Sequence, residues 1–373
     1  MEYKKLGDIA TYINGYAFKP EQRGSEGLPI IRIQDLTGNA YDLGYYNGDY
    51  PKKVELNDGD VLISWSASLG VYLWNRGKAL LNQHIFKVVF DKVEIDKFYF
   101  MYAVEYNLDK MSLKTHGATM KHITKKDFAN VVIPYPNLDY QKEVAYRLTS
   151  LKGIIKKYQE QLVLLDELIK ARFVEMFGDP NIEFKYSSVK FNDLVARMTK
   201  GPFGSDMKKD LFVPKGEDTY KVYIQINAIQ KNQSLGEYYI SKEYFDRKVS
   251  RFELFPNDYI ITCDGTLGKY LKLDENMEKG VISPSLLRLT LQNDKINDKY
   301  FENIWDFYML GLMKKEARNA CLVHLPSAKK IGEISIPVPP LELQNQFASF
   351  VKEIDKSRLL SNHSLFLIKS IIF

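Results

Sequence analysis

The sequence predicts an α+β protein in which two similar α/β domains stand in tandem, each followed by a long α-helix, with the two helices forming an antiparallel coiled coil. Three observations support this prediction: one junction occurs twice, strand-like segments precede helix-like segments in each copy, and a heptad pattern follows each junction. We place the first domain at 1–138, its helix at 139–180, the second domain at 181–340 and the second helix at 341–373.

The duplicated junction is the clearest internal repeat. Residues 131–144 read VVIPYPNLDYQKEV and residues 334–347 read ISIPVPPLELQNQF, and they align without a gap at a separation of 203 residues. Other matches keep the same order along the chain, among them KKLGDI (4–9) with VKFNDL (189–194), although the separation there is 185 residues. Constant order with a drifting separation indicates two copies of one domain whose loops differ in length.

Within each copy, short runs rich in β-branched and aromatic residues lie between turns of Gly, Asn and Asp. Examples are PIIRI (29–33), DVLISW (60–65) and LLRLTL (286–291), which are typical of strands. Segments 96–111 and 298–315 space their apolar residues as helices do. Strands followed by helices favour an α+β domain.

The segment after each junction carries a coiled-coil pattern, because apolar residues alternate steps of four and three. The junction prolines cannot lie inside a helix, so each helix begins after them. Chain order predicts an antiparallel pair, since each helix leaves its own domain and a short linker carries the chain onward. A plain core-packing stripe is the alternative interpretation. The predicted seam consists of Val144, Leu148, Leu151, Ile155, Tyr158, Leu162, Leu165 and Ile169 in the first helix, and of Phe347, Val351, Ile354, Leu365, Ile368 and Ile372 in the second.

Composition narrows the class of protein. With 45% hydrophobic and 27% charged residues the chain is typical of a globular protein, and its net charge of +5 allows a polyanion partner without demanding one. Two cysteines cannot form a disulfide framework, which favours a reducing compartment. The start MEYKKLGDIA has no secretory signal, and no uncharged stretch is long enough for a membrane span. We therefore expect a soluble protein of the cytoplasm.

A search for catalytic motifs finds no constellation that an enzyme would need. The sequence has no phosphate-binding loop, no nucleophile elbow, no H-E-x-x-H, no glycine-rich cofactor loop and no Asn-Pro-Pro-aromatic motif for amino-group methylation. Its five histidines show no metal-ligand spacing. We expect no catalytic residue and no metal site, and a binding protein becomes the leading class.

The arrangement resembles the specificity subunit of type I restriction-modification systems. Each copy ends in an I-P-x-P junction, a Q-x-x-[IVF] start and a heptad helix; KARFVEMFGDP (170–180) resembles the segment that closes the central helix of that family, and LNDGDVLIS (56–64) resembles a turn and strand of its target-recognition domains. The resemblance covers essentially the whole chain. One departure is that Arg358 and Ser361 occupy two seam positions of the second helix.

The resemblance implies a non-catalytic subunit that binds double-stranded DNA, with each domain reading one half of a split target. Separate methylation subunits, two copies, would bind S-adenosylmethionine and modify adenine, and a separate restriction and translocation subunit would use ATP and magnesium. No cofactor is then expected in this chain. Two alternatives stay open: an enzyme with unrecognised motifs, and a dimerising coiled-coil scaffold without DNA specificity.

Direct readout of DNA needs polar side chains that enter a groove, with Lys and Arg around them for phosphates. We expect these contacts from loops at equivalent places in the two copies, although turn capping is the alternative for residues near strand ends, such as Gln34, Ser64 and Asn227. The candidates in the first domain are Asn14, Tyr16, Lys19, Arg32, Gln34, Asp35, Ser64, Ser66, Ser68, Gln83, His84, His116 and Lys121. Those in the second domain are Lys200, Ser205, Lys208, Gln225, Asn227, Asp264, Thr266, Lys269, Ser283, Ser285, Arg318 and His324.

Overall fold

The computed structural model describes residues 2–39, 42–114, 124–179, 181–230, 236–318 and 324–372, without the side chains of 109–114, 316–318 and 371–372. The chain divides into two compact units. The first consists of Met1–Lys157 with Leu367–Phe373, and the second of Tyr158–Phe366. Each unit holds one α/β domain and segments of the long helices.

The domain of the first unit is built on two four-stranded sheets. Its strands are β1 (Tyr3–Lys5), β2 (Thr11–Asn14), β3 (Leu28–Ile31), β4 (Tyr45–Tyr46), β5 (Glu55–Leu56), β6 (Val61–Ser64), β7 (Gly70–Leu73), β8 (Ala79–Leu81), β9 (Ile85–Val89) and β10 (Val132–Pro134). Its helices are α1 (Leu6–Ile9), α2 (Ile33–Thr37), α3 (Lys97–Lys114) and α4 (Lys125–Ala129), and the long helix α5 (Leu138–Phe177) follows. One sheet is antiparallel in the order β2-β9-β6-β7, and the other has the order β4-β3-β8-β5 with β3 parallel to β8.

The domain of the second unit repeats this plan. Its strands are β11 (Gly178–Asp179), β12 (Glu183–Phe184), β13 (Ser188–Lys190), β14 (Val195–Lys200), β15 (Thr219–Tyr223), β16 (Tyr238–Ser241), β17 (Glu253–Leu254), β18 (Tyr259–Thr262), β19 (Tyr270–Lys272), β20 (Gly280–Ile282), β21 (Leu286–Leu291) and β22 (Ser335–Pro337). Its helices are α6 (Gln225–Ala228), α7 (Lys242–Tyr244), α8 (Asp298–Ile304), α9 (Leu310–Arg318) and α10 (Ala328–Gly332), followed by the long helix α11 (Leu341–Ile372). The sheets β14-β21-β18-β19 and β16-β15-β20-β17 match those of the first unit, including one parallel pair, β15 with β20.

The fully buried strand β6 joins two cores in the first domain. Val61 and Ile63 point into one hydrophobic cluster and Leu62 into another, because successive side chains of a strand face opposite sides. In the second domain, β18 does the same with Ile261 on one side and Ile260 on the other. The structure confirms the predicted fold class of two similar α+β domains in tandem, each followed by a long helix.

The junction of the first unit is closed by a buried glutamine at the start of α5. The Oε1 atom of Gln141 accepts a hydrogen bond from the backbone N–H of Asp96 at 2.9 Å, and its Nε2 donates to the carbonyl of Pro136 at 2.8 Å. The Tyr99 hydroxyl donates to the carbonyl of Pro134 at 2.9 Å. These bonds tie the end of the domain, the start of its helix α3 and the start of α5 together.

The second junction is closed in the same way. Gln344 accepts from the backbone N–H of Asn297 at 2.8 Å and donates to the carbonyl of Pro339 at 2.7 Å. The Tyr300 hydroxyl donates to the carbonyl of Pro337 at 2.7 Å. The duplicated junction in the sequence is therefore a duplicated set of hydrogen bonds.

The two long helices pair within the second unit. The ring of Phe347 near the start of α11 packs on Phe173 and Phe177 near the end of α5, with ring centroids 5.6 and 5.4 Å apart. Farther along, Arg358 of α11 forms an ion pair with Asp166, an earlier residue of α5. Contact positions advance on one helix as they recede on the other, so the pair is antiparallel, as predicted.

Every predicted seam residue whose side chain is described is buried or half-buried. The two polar seam residues have partners as well. Arg358 forms a second ion pair with Asp355 at 2.9 Å, and the hydroxyl of Ser361 donates to the carbonyl of Ser357 on its own helix at 3.0 Å. Among the residues that the structure describes, no helix combines the length and apolar character needed to cross a membrane.

We predict that Gln344→Ala destabilises the second unit, because it leaves the Asn297 amide and the Pro339 carbonyl without their partner. Such a loss costs about 1–3 kcal/mol. Urea unfolding followed through Trp305, in a chain whose Trp65 and Trp74 are replaced by Phe, measures this free energy. The matched control is removal of an exposed glutamine of the same helix, Gln346→Ala. A loss no larger than that of the control would contradict the role of Gln344.

Candidate nucleic-acid interface

Three loops meet at one end of the sheets in each domain. We name them the early loop (15–27 and 201–218), the hairpin loop (65–69 and 263–269) and the connecting loop (82–84 and 283–285). They follow β2, β6 and β8 in the first domain and β14, β18 and β20 in the second. Most of the residues that the sequence nominates for DNA contact lie on these loops or at their edges.

Backbone hydrogen bonds hold the three loops of the first domain together. Tyr16 of the early loop donates to the carbonyl of Leu81 at 2.8 Å, and Trp65 of the hairpin loop donates to the carbonyl of His84 at 3.5 Å. The rings of Trp65 and His84 also meet, with centroids 5.4 Å apart. The nominated residues of these loops therefore form one surface.

The second domain assembles its loops with equivalent bonds. Gly201 of the early loop donates to the carbonyl of Leu286 at 2.8 Å, and Cys263 of the hairpin loop donates to that of Ser285 at 2.8 Å. His324 joins this group, because its Nδ1 lies 2.5 Å from Oδ1 of Asp264. The structure thus brings together residues that are up to 85 positions apart in sequence.

A glycine allows the close crossing of the early and connecting loops in each domain. A Cβ atom on Gly15 would lie 2.1 Å from the carbonyl oxygen of Asn82, and one on Gly201 would lie 2.0 Å from that of Ser283. Real Cβ atoms do not approach so closely, so the crossing requires glycine. Both copies have this requirement at the same place, which sets the position of the early loop.

In both copies the hairpin loop turns through a residue with left-handed backbone conformation at the equivalent position. Ala67 has φ 57° and Gly265 has φ 67°. The hydroxyl of Ser64 donates to the carbonyl of Ser68 at 2.5 Å, and the hydroxyl of Thr262 donates in the same way to Thr266. Ser64 therefore caps the hairpin turn, which is the alternative to a DNA contact that the sequence left open for this residue.

The nominated side chains fall into groups by exposure. Those exposed to solvent are Asn14, Lys19, Gln34, Ser68, Gln83, His84, Lys200, Ser205, Lys208, Thr266, Lys269 and His324. Those that are half-buried are Tyr16, Ser66, Gln225, Asn227, Asp264 and Ser285. A contact between any of them and DNA stays a prediction.

Four nominated residues, Arg32, Asp35, Ser64 and Ser283, are buried instead of exposed. The carboxylate of Asp35 accepts from the backbone N–H of Arg32 at 2.8 Å and from its Nε at 3.1 Å, which fixes the start of α2. Because these four side chains are buried, little of them is accessible to a ligand.

The side chains of three nominated residues lie outside the described part of the structure. His116 and Lys121 lie outside the described residues, and Arg318 belongs to α9 without a described side chain. One exposed residue on these loops is not among the residues nominated from the sequence. Phe203 of the early loop in the second domain is 75% exposed, and the Gly-Pro-Phe-Gly turn around it was the available signal.

Cys263 stands in this surface but is buried under it. Burial raises the pKa of its thiol to about 12, so the thiol stays protonated at neutral pH and is a poor nucleophile. Within the described part of the chain, no group of three or more His, Cys, Asp or Glu side chains is arranged to hold a metal ion. The surface offers hydrogen-bonding groups, cations and an aromatic ring, which suit recognition of a ligand.

A family model and curated relatives both match this chain over most of its length. A family model described as the type I restriction modification DNA specificity domain matches residues 1–164 and again 204–368. The specificity subunit of the type I restriction enzyme EcoBI from Escherichia coli is 22% identical over 390 residues, covering 94% of this chain and 78% of that protein. The specificity subunit of type I restriction enzyme MjaVIII from Methanocaldococcus jannaschii is 22% identical over 388 residues, covering 95% of this chain and 86% of that protein.

Solved structures show the same fold. The S subunit of a type I restriction-modification system from M. genitalium is 14% identical with a TM-score of 0.56, covering 100% of this chain and 93% of that chain. A chain from a study of complex assembly and conformational transition of the type I R-M system is 13% identical with a TM-score of 0.58, covering 100% and 95%. Two domains followed by long helices are thus shared with these structures.

We predict that Gly201→Ala forces the early loop away from the connecting loop, because the new Cβ would overlap the Ser283 carbonyl. Hydrogen–deuterium exchange of the peptide 199–206 should become roughly tenfold faster or more, which corresponds to about 1.4 kcal/mol of local stability. Gly204→Ala in the same loop is the matched control, since its added Cβ meets nothing within 4 Å. Equal exchange in the two variants would contradict the close crossing.

Proposed function

Since the chain belongs to the type I restriction-modification DNA specificity family, we propose that it is the non-catalytic subunit that reads the DNA target of such a complex. The observation that carries the proposal is the loop surface, which the fold builds once in each domain. Exposed polar and basic side chains on loops held by a rigid scaffold are what groove recognition needs. A scaffold protein without a DNA role would have no use for two such surfaces.

We propose that each domain reads one half of a bipartite double-stranded DNA target. The hydrogen bonds that join the hairpin and connecting loops make His84, which is exposed, equivalent to Ser285, which is half-buried. Different hydrogen-bonding side chains at one place favour different base pairs, because each base pair presents its own donor and acceptor pattern in the major groove. The two domains would then share a backbone and recognise different base pairs.

The partners follow from the same proposal. Methylation subunits, two copies, would bind S-adenosylmethionine and modify adenine, and a restriction and translocation subunit would use ATP and magnesium; this chain itself would hold no cofactor. The complex would work in the cytoplasm. Exposed apolar side chains on the long helices support a partner surface, since such side chains often mark interfaces. They include Val163, Leu164, Leu359, Leu360 and Phe366.

We predict that the chain alone neither methylates nor cuts DNA, and that it directs adenine methylation to a defined bipartite sequence once the methylation subunits are added. The reason is that the chain supplies contacts and the partners supply chemistry. Modified-base sequencing of a plasmid library incubated with each combination measures this. Robust methylation by the purified chain alone would contradict the proposal, and so would methylation by the partners at the same sequence without the chain.

We also predict that the two domains read independently. Exchange of residues 1–138 for the corresponding residues of a relative should change one half of the methylated sequence and leave the other half intact, because the loops of the second domain are untouched. Exchange of residues 181–340 is the reciprocal control and should change the other half only. A change of both halves in either chimera would show that the domains do not read separately.

A further inference from the structure

The early loop of the second domain presents an aromatic side chain to solvent. Phe203 is 75% exposed, whereas its neighbour Pro202 is buried. Transfer of a phenylalanine side chain out of water is worth about 1.5–3 kcal/mol, so this exposed ring is available to stabilise a complex. A single exposed apolar residue is common on protein surfaces, and the surroundings decide what it does.

The loop holds Phe203 in a defined place. On one side, the Gly201 amide is bonded to the Leu286 carbonyl at the glycine crossing. On the other side, the amide of Asp206 donates to the Phe203 carbonyl at 2.9 Å, and the carbonyl of Asp206 accepts from the hydroxyl of Tyr244 at 3.0 Å. A side chain on a loop fixed at both ends loses little backbone entropy when it enters a binding partner.

The first domain shows that the fold does not require this exposure. Counting from the equivalent glycines, Gly15 and Gly201, the position of Phe203 is taken by Ala17. The phenylalanine of that loop, Phe18, is buried and packs on the half-buried Tyr16 of the same loop and on Tyr46, with ring centroids 4.9 and 5.2 Å apart. At this position of the early loop, an exposed aromatic ring is therefore present in the second domain and absent from the first.

The charges around Phe203 favour a polyanion as its partner. Lys200, Lys208 and Lys209 are exposed within six positions of the ring, and Asp206 has its own cation, Lys248, at 3.5 Å. Residues 200–210 carry these three lysines and two aspartates, Asp206 and Asp210, so the segment around the ring has a net charge of +1. The other exposed carboxylates of the loop, Glu217 and Asp218, lie more than ten positions beyond the ring. An aromatic ring among cations suits DNA, in which bases are flanked by phosphates.

We propose that Phe203 is a base-contacting residue of the second domain, whose ring enters a groove and makes an apolar contact with bases of the half-site. This inference rests on the proposed function. A phenyl ring has no hydrogen-bonding group, so it cannot read donors and acceptors. It can wedge into a base step and unstack it, or contact the methyl group of thymine.

The test uses the complex of the full chain with its methylation subunits and a duplex that carries its methylated sequence. Phe203→Ala should weaken binding roughly tenfold, as loss of an aromatic base contact does, with an unchanged salt dependence, because a neutral ring releases no counterions. Lys208→Ala should instead flatten the salt dependence. Ile182→Ala is the matched control, because Ile182 is 84% exposed and lies outside the three loops; it should leave binding unchanged.

Two modified duplexes distinguish a ring that wedges into a base step from a ring that contacts the methyl group of thymine. With 2-aminopurine in the second half-site, a wedge raises fluorescence on binding of the wild-type complex but not of the Phe203→Ala complex. With uracil in place of each thymine, a methyl contact shows as weaker binding by the wild-type complex only. Either result supports the proposal. A weaker Phe203→Ala complex with neither signature would overturn a base contact.

Other outcomes overturn the inference without touching the proposed function. Phe203→Ala binding within about twofold of wild type would show that the ring makes no useful contact. Loss of assembly with the methylation subunits at unchanged DNA affinity would assign Phe203 to a protein interface. Equal unfolding midpoints for wild type and Phe203→Ala exclude misfolding, and Phe203→Leu provides a second variant that keeps apolar bulk. Absence of specific binding by the wild-type complex would instead refute the proposed function.

Discussion

One buried glutamine at each junction connects a sheet domain to a long helix, and the duplicated architecture depends on it. The chain leaves the first domain through two prolines and the second through three, none of which donates a hydrogen bond, and it then enters a helix whose first amides have no partner within the helix. A carboxamide carries both donors and an acceptor, so Gln141 and Gln344 each satisfy the carbonyl of a junction proline and the amide at the start of a domain helix. This is why the two junctions share prolines and glutamine at equal spacing.

A scaffold fixed in this way leaves the loops free to differ. The structural requirements that recur in both loop surfaces concern backbone, such as the glycine crossing at Gly15 and Gly201 and the hydroxyl that closes the hairpin turn at Ser64 and Thr262. The side chains that face solvent do not recur, and Phe203 is an example. Shared backbone with different exposed side chains is the arrangement expected of a fold whose copies recognise different ligands.

Sequence was sufficient for the parts of this structure whose signal is periodic or repeated: the two copies, the order of strands and helices, and the heptad seam. It was insufficient where the same local pattern serves two purposes. Polar residues that follow a strand give the same sequence signal whether the side chain faces solvent, as that of Gln34 does, or is buried and caps the start of a short helix, as that of Asp35 does. Phe203 was missed for the opposite reason, since an aromatic residue is assigned to a core unless its neighbours argue against it.

The polar residues on the coiled-coil seam fix the register of the two helices more than they stabilise the pair. An exposed ion pair contributes only about 0–1 kcal/mol, so Arg358 and Asp166 do not add much stability. Their position, however, is eleven residues from the packed Phe347 and Phe177 on either helix, so one antiparallel register satisfies both contacts. A slip of one heptad would place Arg358 opposite Phe173 or Gln159 and separate it from Asp166, its carboxylate partner on the facing helix. A mixed seam therefore favours one register where a wholly apolar seam would tolerate several.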